Sequence, residues 1–309
     1  MVTLPHSTVA AVAFAVAISV APAQNQQPVF KAQSELVVLH VLVKDRGGSY
    51  VPGLTAEAFR VFEENRPQAI RFFATEDAPV TVGLVIDSSG SMAHVRDRVV
   101  AASAAFVDAS NPLDEVFALV FNDDVRPVLT AAKPFTSDAN TLRHALAEVF
   151  TPVGRTALYD AITDGLSYVA RGTRERRVLV VLSDGGDNAS QATFPGLLTQ
   201  LQASNAVVYT VALVDPLGGE SNPGRLRQLA NTSGGAAFEP RNVAEVERAF
   251  QQIARDVRSS YTVGYEPAST GQRAGVHRIR VEVQSPDGRR LVTRSRTGYL
   301  AGQPASSLR

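Results

Sequence analysis

The chain has 309 residues, 45% hydrophobic and 19% charged, enough for one large domain with a buried core and a smaller second unit. Thirty basic residues balance thirty acidic ones, so no net positive field draws it to nucleic acid or to an anionic membrane. It has no cysteine, which excludes disulfides, thiolate metal ligands, a cysteine nucleophile and a lipidated cysteine anchor.

The first feature is an apolar run from Val9 to Val20, too short to span a bilayer comfortably, that ends in the small-x-small pattern Ala21-Pro22-Ala23. Residues 1–23 are expected to be a secretory signal peptide, although no Lys or Arg precedes the run, only His6 and the amino terminus. The competing reading is an uncleaved N-terminal anchor. No later apolar run approaches the ~20 residues a spanning helix needs. The mature chain is therefore expected to carry no transmembrane span and to be secreted, periplasmic or held in the cell envelope.

Residues 24–28 read as a polar linker, and 29–78 as the first half of a β module. Within it, Leu36 to Val43 is a β-branched run, a Gly47-Gly48 turn follows, and Gly53 to Glu63 reads as short strands with a helical turn. From Pro79 the pattern changes. Val80 to Ile86 is a near-continuous apolar strand of the kind buried on both faces, and it leads into a helix from about His94 to Ala109. The alternation repeats, with strands at Val116 to Phe121, Val178 to Ser183 and Val207 to Val214. Helical patterns run from Asn140 to Phe150, Ala157 to Ala170, Pro195 to Ser204 and Arg225 to Thr232. This predicts an α/β fold with a Rossmann-like, doubly wound, mostly parallel sheet. Val125 to Thr130 follows the turn-forming Asn122-Asp123-Asp124 too closely for a crossover helix, so it is expected as an antiparallel edge strand.

A short strand at Ala236 to Phe238 and an amphipathic helix from Val243 to Arg258 are expected to close an α/β domain spanning 79–259. Beyond it, Tyr261 to Tyr265, Val276 to Val283 and Arg290 to Thr297 read as short strands divided by Gly and Pro turns. Residues 260–300 are thus the second half of the β module, 301–309 a tail, and the α/β domain an insert in a small β-sandwich.

In an open parallel sheet, ligands bind beyond the carboxyl ends of the strands. Three loops fall there: Asp87-Ser88-Ser89-Gly90-Ser91, Gly154-Arg155-Thr156, and Ser183-Asp184-Gly185-Gly186-Asp187-Asn188. Together they resemble the von Willebrand factor type A family, whose metal-ion-dependent adhesion site uses Asp-x-Ser-x-Ser, a distant Thr and a later Asp. Asp87, Ser89, Ser91, Thr156 and Asp184 match position by position. The resemblance covers about Pro79 to Ser259. More narrowly, the whole chain is similar to bacterial exported proteins of this family, including flank motifs such as Gly53-Leu54-Thr55, Ser260-Tyr261-Thr262-Val263-Gly264-Tyr265 and Arg296-Thr297-Gly298-Tyr299. The resemblance implies a Mg²⁺ site, with Mn²⁺ or Ca²⁺ as alternatives, that binds a protein or extracellular-matrix ligand through its Asp or Glu and performs no catalysis.

The residue types agree with that implication. Mg²⁺ takes about six hard oxygen ligands, and hydroxyls, carboxylates and water supply them. With only two carboxylates the ion keeps net positive character and leaves a position for an external carboxylate. Each residue has a plainer reading as well: Asp87 to Ser89 and Thr156 as helix caps, and Asp184 to Asn188 as a turn. Asp187 and Asn188 lack the ligand spacing of an EF-hand and read as support around the site or a solvated turn. Arg155 would oppose a nearby cation or, turned outward as expected, grip an anionic partner. His94 reads as an exposed first-turn helix residue. Two other functions share the crevice or the fold: a metal-assisted hydrolase, which lacks a recognisable base, and a metal-free scaffold assembling through the β flanks.

Overall fold

The computed structural model describes residues 36–75, 77–213, 221–267 and 274–301. The expected signal peptide and linker, and 302–309 of the tail, lie outside the described residues.

The chain enters through four strands, β1 (Val37–Lys44), β2 (Phe59–Glu63), β3 (Arg66–Gln68) and β4 (Ile70–Ala74). β2 and β3 form a hairpin closed by Glu64 and Asn65, both with positive φ (47° and 63°). Two such residues in a two-residue loop match the twist of the flanking strands. That turn usually carries Asn-Gly or Asp-Gly, and Glu-Asn gives little signal, so β3 and β4 were not expected from the sequence. Tertiary bonds support the turn instead: Glu64 N–H donates to the Arg278 carbonyl at 3.0 Å, and the Glu64 carboxylate accepts from Arg278 N–H at 2.7 Å.

The α/β body follows: β5 (Val80–Asp87), α1 (Arg96–Asp108), β6 (Glu115–Phe121), β7 (Val125–Pro127), α2 (Ala139–Val149), α3 (Leu158–Val169), β8 (Arg176–Ser183), α4 (Phe194–Ala203), β9 (Val207–Ala212), α5 (Pro223–Ser233), β10 (Ala237–Phe238) and α6 (Val243–Arg258). The sheet runs β10-β9-β8-β5-β6-β7. It is parallel except for β7, which pairs antiparallel with β6 as the tight Asn122 to Asp124 connection requires.

Every residue of β5 is buried, because helices cover both faces of the sheet. Val82, Leu84 and Ile86 of β5 pack in one core with Phe106 of α1, Leu142 and Leu146 of α2, and Phe250 and Ile253 of α6. Val85 packs in the other with Leu158 and Ile162 of α3, Leu197 and Leu201 of α4, and Leu226 and Leu229 of α5. Since α1 follows β5 and α4 follows the adjacent β8, their helices depart to opposite faces. The carboxyl ends of β5 and β8 therefore flank the point where the winding reverses, where such sheets open a crevice.

The last strands are β11 (Tyr261–Tyr265), β12 (Gly275–Val283), β13 (Val292–Arg294) and β14 (Gly298–Ala301). They complete two antiparallel sheets with the N-terminal flank, ordered β13-β1-β11-β4 and β14-β12-β2-β3. The inner faces share one core, in which Leu39, Val41, Tyr261 and Val263 of the first sheet meet Phe59, Val61 and Ile279 of the second. The strand expected over Arg290 to Thr297 is shortened to β13, and β14 follows it as a further strand that the sequence did not signal. β13 pairs with β1 in one sheet and β14 with β12 in the other, so the chain changes sheets between Arg294 and Gly298.

Candidate functional site

All five residues singled out in the sequence sit on the loops at the carboxyl edge of the α/β sheet. Asp87 ends β5 and is fully buried. Its Oδ1 accepts from Ser89 N–H at 2.9 Å and its Oδ2 from the Ser183 hydroxyl at 2.7 Å. Ser89 and Ser91 lie at the start of a 3-10 turn (Gly90–Val95), and their hydroxyl oxygens are 3.1 Å apart. The tight turn does this: it swings two side chains spaced by one residue onto the same side. Asp184 follows β8, and its Oδ1 accepts from Gly186 N–H at 2.8 Å. Burial pushes the Asp87 carboxyl up to about 6, against the lowering effect of the Ser89 and Ser183 hydrogen bonds, while the nearby charge of Asp184 adds to the rise.

Thr156 reaches the same edge through a web of main-chain bonds. Val153 N–H donates to the Ser88 carbonyl at 2.9 Å and Ala157 N–H to the Asn122 carbonyl at 2.8 Å. The Thr156 carbonyl accepts from Asn188 N–H (3.0 Å) and Ala189 N–H (3.1 Å), and Thr156 N–H donates to Asn188 Oδ1 at 3.0 Å. Asn188 thus clamps the Thr156 loop to the Asp184 loop. Asp187 works beside it, accepting from Tyr159 N–H at 3.2 Å and from the Ser190 hydroxyl at 2.5 Å. Both residues support the site through the backbone, within the range of roles their sequence allowed.

Capping does not occupy the hydroxyls. The Ser89 side chain makes no capping bond to its turn, and the residue flanking α3 is Ala157, not Thr156. Asp184 does close a turn with one oxygen.

Arg155 is exposed and turned onto Asp123: its Nε is 2.8 Å from Asp123 Oδ1, and its backbone N–H donates to Oδ2 at 3.0 Å. These bonds hold the Asp123 carboxyl below its ordinary range. The contact needs a glycine before it, because Gly154 has φ +81° and a Cβ there would lie 2.1 Å from Asp123 Oδ2. His94 is exposed, with its Nδ1 at 2.9 Å from the Ser91 carbonyl oxygen.

Sequence reasoning missed Ser183, Asn122 and Asp123. The available signal for Ser183 was a polar residue at the end of an otherwise apolar buried strand; for Asp123, only the turn itself. Among the described residues no three His, Cys, Asp or Glu side chains gather as a metal cluster, so any cation at this edge would depend on the hydroxyls as much as on the carboxylates.

The family model described as the von Willebrand factor type A domain matches residues 81–252. No curated protein matches the chain. Solved structures that match include the vWF domain of the type V pili tip protein Mfa5 from Porphyromonas gingivalis, 21% identical. That match covers 37% of this chain and 40% of the other, with a TM-score of 0.32. The conserved hypothetical protein BatB from Bacteroides thetaiotaomicron is 20% identical over 58% of this chain and 100% of its own, TM-score 0.44. A von Willebrand factor type A protein from Catenulispora acidiphila is 15% identical over 88% of this chain and 75% of its own, TM-score 0.47.

Proposed function

We propose a function for this chain from one premise: it belongs to the von Willebrand factor type A domain family. It is a binding module of an exported bacterial protein. Asp87, Ser89, Ser91, Thr156 and Asp184 hold a divalent cation, Mg²⁺ first and Mn²⁺ or Ca²⁺ by the same hard-oxygen chemistry, for a protein or matrix partner that presents Asp or Glu.

The observation that carries this reading is the 3.1 Å between the Ser89 and Ser91 hydroxyl oxygens, beside the buried Asp87 carboxylate. Two oxygens on neighbouring vertices of an octahedron, each about 2.0–2.1 Å from Mg²⁺, lie about 3 Å apart. When bound, the cation supplies a positive charge and a coordination position open to the partner's carboxylate. The chain's own residues do the rest. Ser183 orients Asp87, the Asn188 clamp holds Thr156 at the edge, and Asp123 draws the Arg155 guanidinium aside. His94 is exposed and its Nδ1 is engaged by the Ser91 carbonyl oxygen, which favours binding over hydrolysis.

The test is thermal unfolding of the full chain, stripped with chelator and titrated with Mg²⁺ or Mn²⁺. A ligand that prefers the folded state stabilises it by about 2.7 kcal/mol at a hundred times its Kd. A saturating rise in Tm is expected, lost in Ser89→Ala and Ser91→Ala variants that keep the unliganded stability. No rise at millimolar metal overturns the reading and leaves the metal-free scaffold.

A further inference from the structure

The opposite end of β8 carries a second polar site, where the α/β domain meets the β module. Arg176 opens β8 and is only 6% exposed. Its Nη2 donates to the Val257 carbonyl and to the Ser260 hydroxyl, whereas its Nη1 is buried with no hydrogen-bond partner among the described residues. The same is true of His40 Nδ1 on β1 and of Arg177 Nε. All three residues line one cavity, with Tyr209 and Ser260, that has room for a single small occupant.

We propose that this junction binds a small monovalent inorganic anion of chloride size between Arg176 and His40. The charge balance of the seam argues for an anion over water. Arg294 spends its guanidinium on the Gly235 carbonyl at 3.2 Å, and Arg296 on the Gln202 carbonyl at 2.8 Å and Asn205 Oδ1 at 3.2 Å. The seam's buried carboxylate, Asp256, is already paired with Lys44 at 2.8 Å. Among the described residues Arg176 has no ion pair, and Asp77 and Asp114 act on it only at longer range. Water would satisfy the orphaned arginine N–H groups and leave the buried charge uncompensated, whereas an anion both accepts from them and balances the charge. Burial first, and then the charges of Arg176 and Arg296, hold His40 far below the ordinary imidazole range.

The experiment uses the full chain in chelator, so the outcome is independent of the cation site. Thermal unfolding is compared in bromide or chloride and in gluconate, too large for the cavity, at equal ionic strength. Crystals are soaked in bromide. A saturating rise in Tm of about 2–4 °C with halide is expected, together with an anomalous bromide peak beside Arg176 Nη1. Arg176→Gln should abolish the halide response; should it fail to fold, His40→Gln should diminish it, and the wild-type peak stands by itself. A Tm indifferent to halide, with no bromide peak in the cavity, overturns the proposal in favour of a buried water.

Discussion

The Ser183 hydroxyl donates to Asp87 Oδ2 at 2.7 Å across the boundary between two adjacent parallel strands, and the same oxygen accepts from Gly185 N–H at 3.1 Å. One side chain thereby fixes the orientation of a buried carboxylate and the path of the loop that carries Asp184. Ser183→Ala should remove both restraints. Partners of this kind typically change metal affinity 10- to 100-fold, so Mg²⁺ affinity should fall about tenfold. Stability should fall by about 1–2 kcal/mol. Calorimetric titration and urea denaturation measure the two effects separately, and unchanged affinity would show that Ser183 serves the fold alone.

Asp123 keeps the Arg155 guanidinium away from the crevice. Asp123→Asn should weaken Mg²⁺ binding by about threefold at low salt, with the loss shrinking in 0.5 M salt as screening shortens the reach of the released charge. Both residues are exposed, so stability should change by no more than about 0.5 kcal/mol. A metal titration at two ionic strengths checks this, and a loss insensitive to salt would point to a change of loop shape instead.

His40 gives the molecule an acid limit. Its folded pKa is lowered to about 3, first by burial and then by Arg176 and Arg296, from an ordinary value of 6.5. The unfolded chain therefore takes up the proton first as pH falls. Stability present above about 6.5 is lost progressively toward 3. The loss assignable to His40 at pH 4 should be on the order of 1–3 kcal/mol. Urea denaturation at pH 7 and pH 4 in gluconate buffer measures it, and His40→Gln should flatten that difference. An equal pH dependence in the variant would assign the acid sensitivity elsewhere.

In the β module, the Tyr265 hydroxyl donates to Glu63 Oε2 at 2.8 Å, while His277 Nδ1 lies 2.6 Å from Oε1. Glu63 is 4% exposed, so deleting a donor leaves a buried carboxylate short of a partner. Tyr265→Phe should cost about 1–3 kcal/mol in urea denaturation and leave Mg²⁺ affinity unchanged. A shift in affinity would reveal coupling between the β module and the crevice.

The alternation of apolar runs with amphipathic helices was legible because a strand covered on both faces must be apolar throughout, as β5 is. The antiparallel place of β7 was legible because three turn residues cannot carry a crossover. The β3 hairpin and the added strand β14 in the second sheet were not. The first rests on a Glu64-Asn65 turn stabilised by Arg278, over 200 positions away, and the second on which neighbour each strand finds.

By itself the sequence determined the kinds of group available at the sheet edge: two carboxylates and three hydroxyls, at the ends of segments whose periodicity fixes them as strands or helix starts. Only the tertiary structure decided what those groups do. Ser89 faces Ser91 within one local turn, but whether Arg155 enters the crevice or turns to Asp123, and whether Asp87 meets Ser183, depend on contacts between segments about 30 to 100 residues apart. Local composition cannot encode them, because a hydrogen bond of about 1 kcal/mol selects among side-chain positions only after the burial of the sheet has brought its partners together.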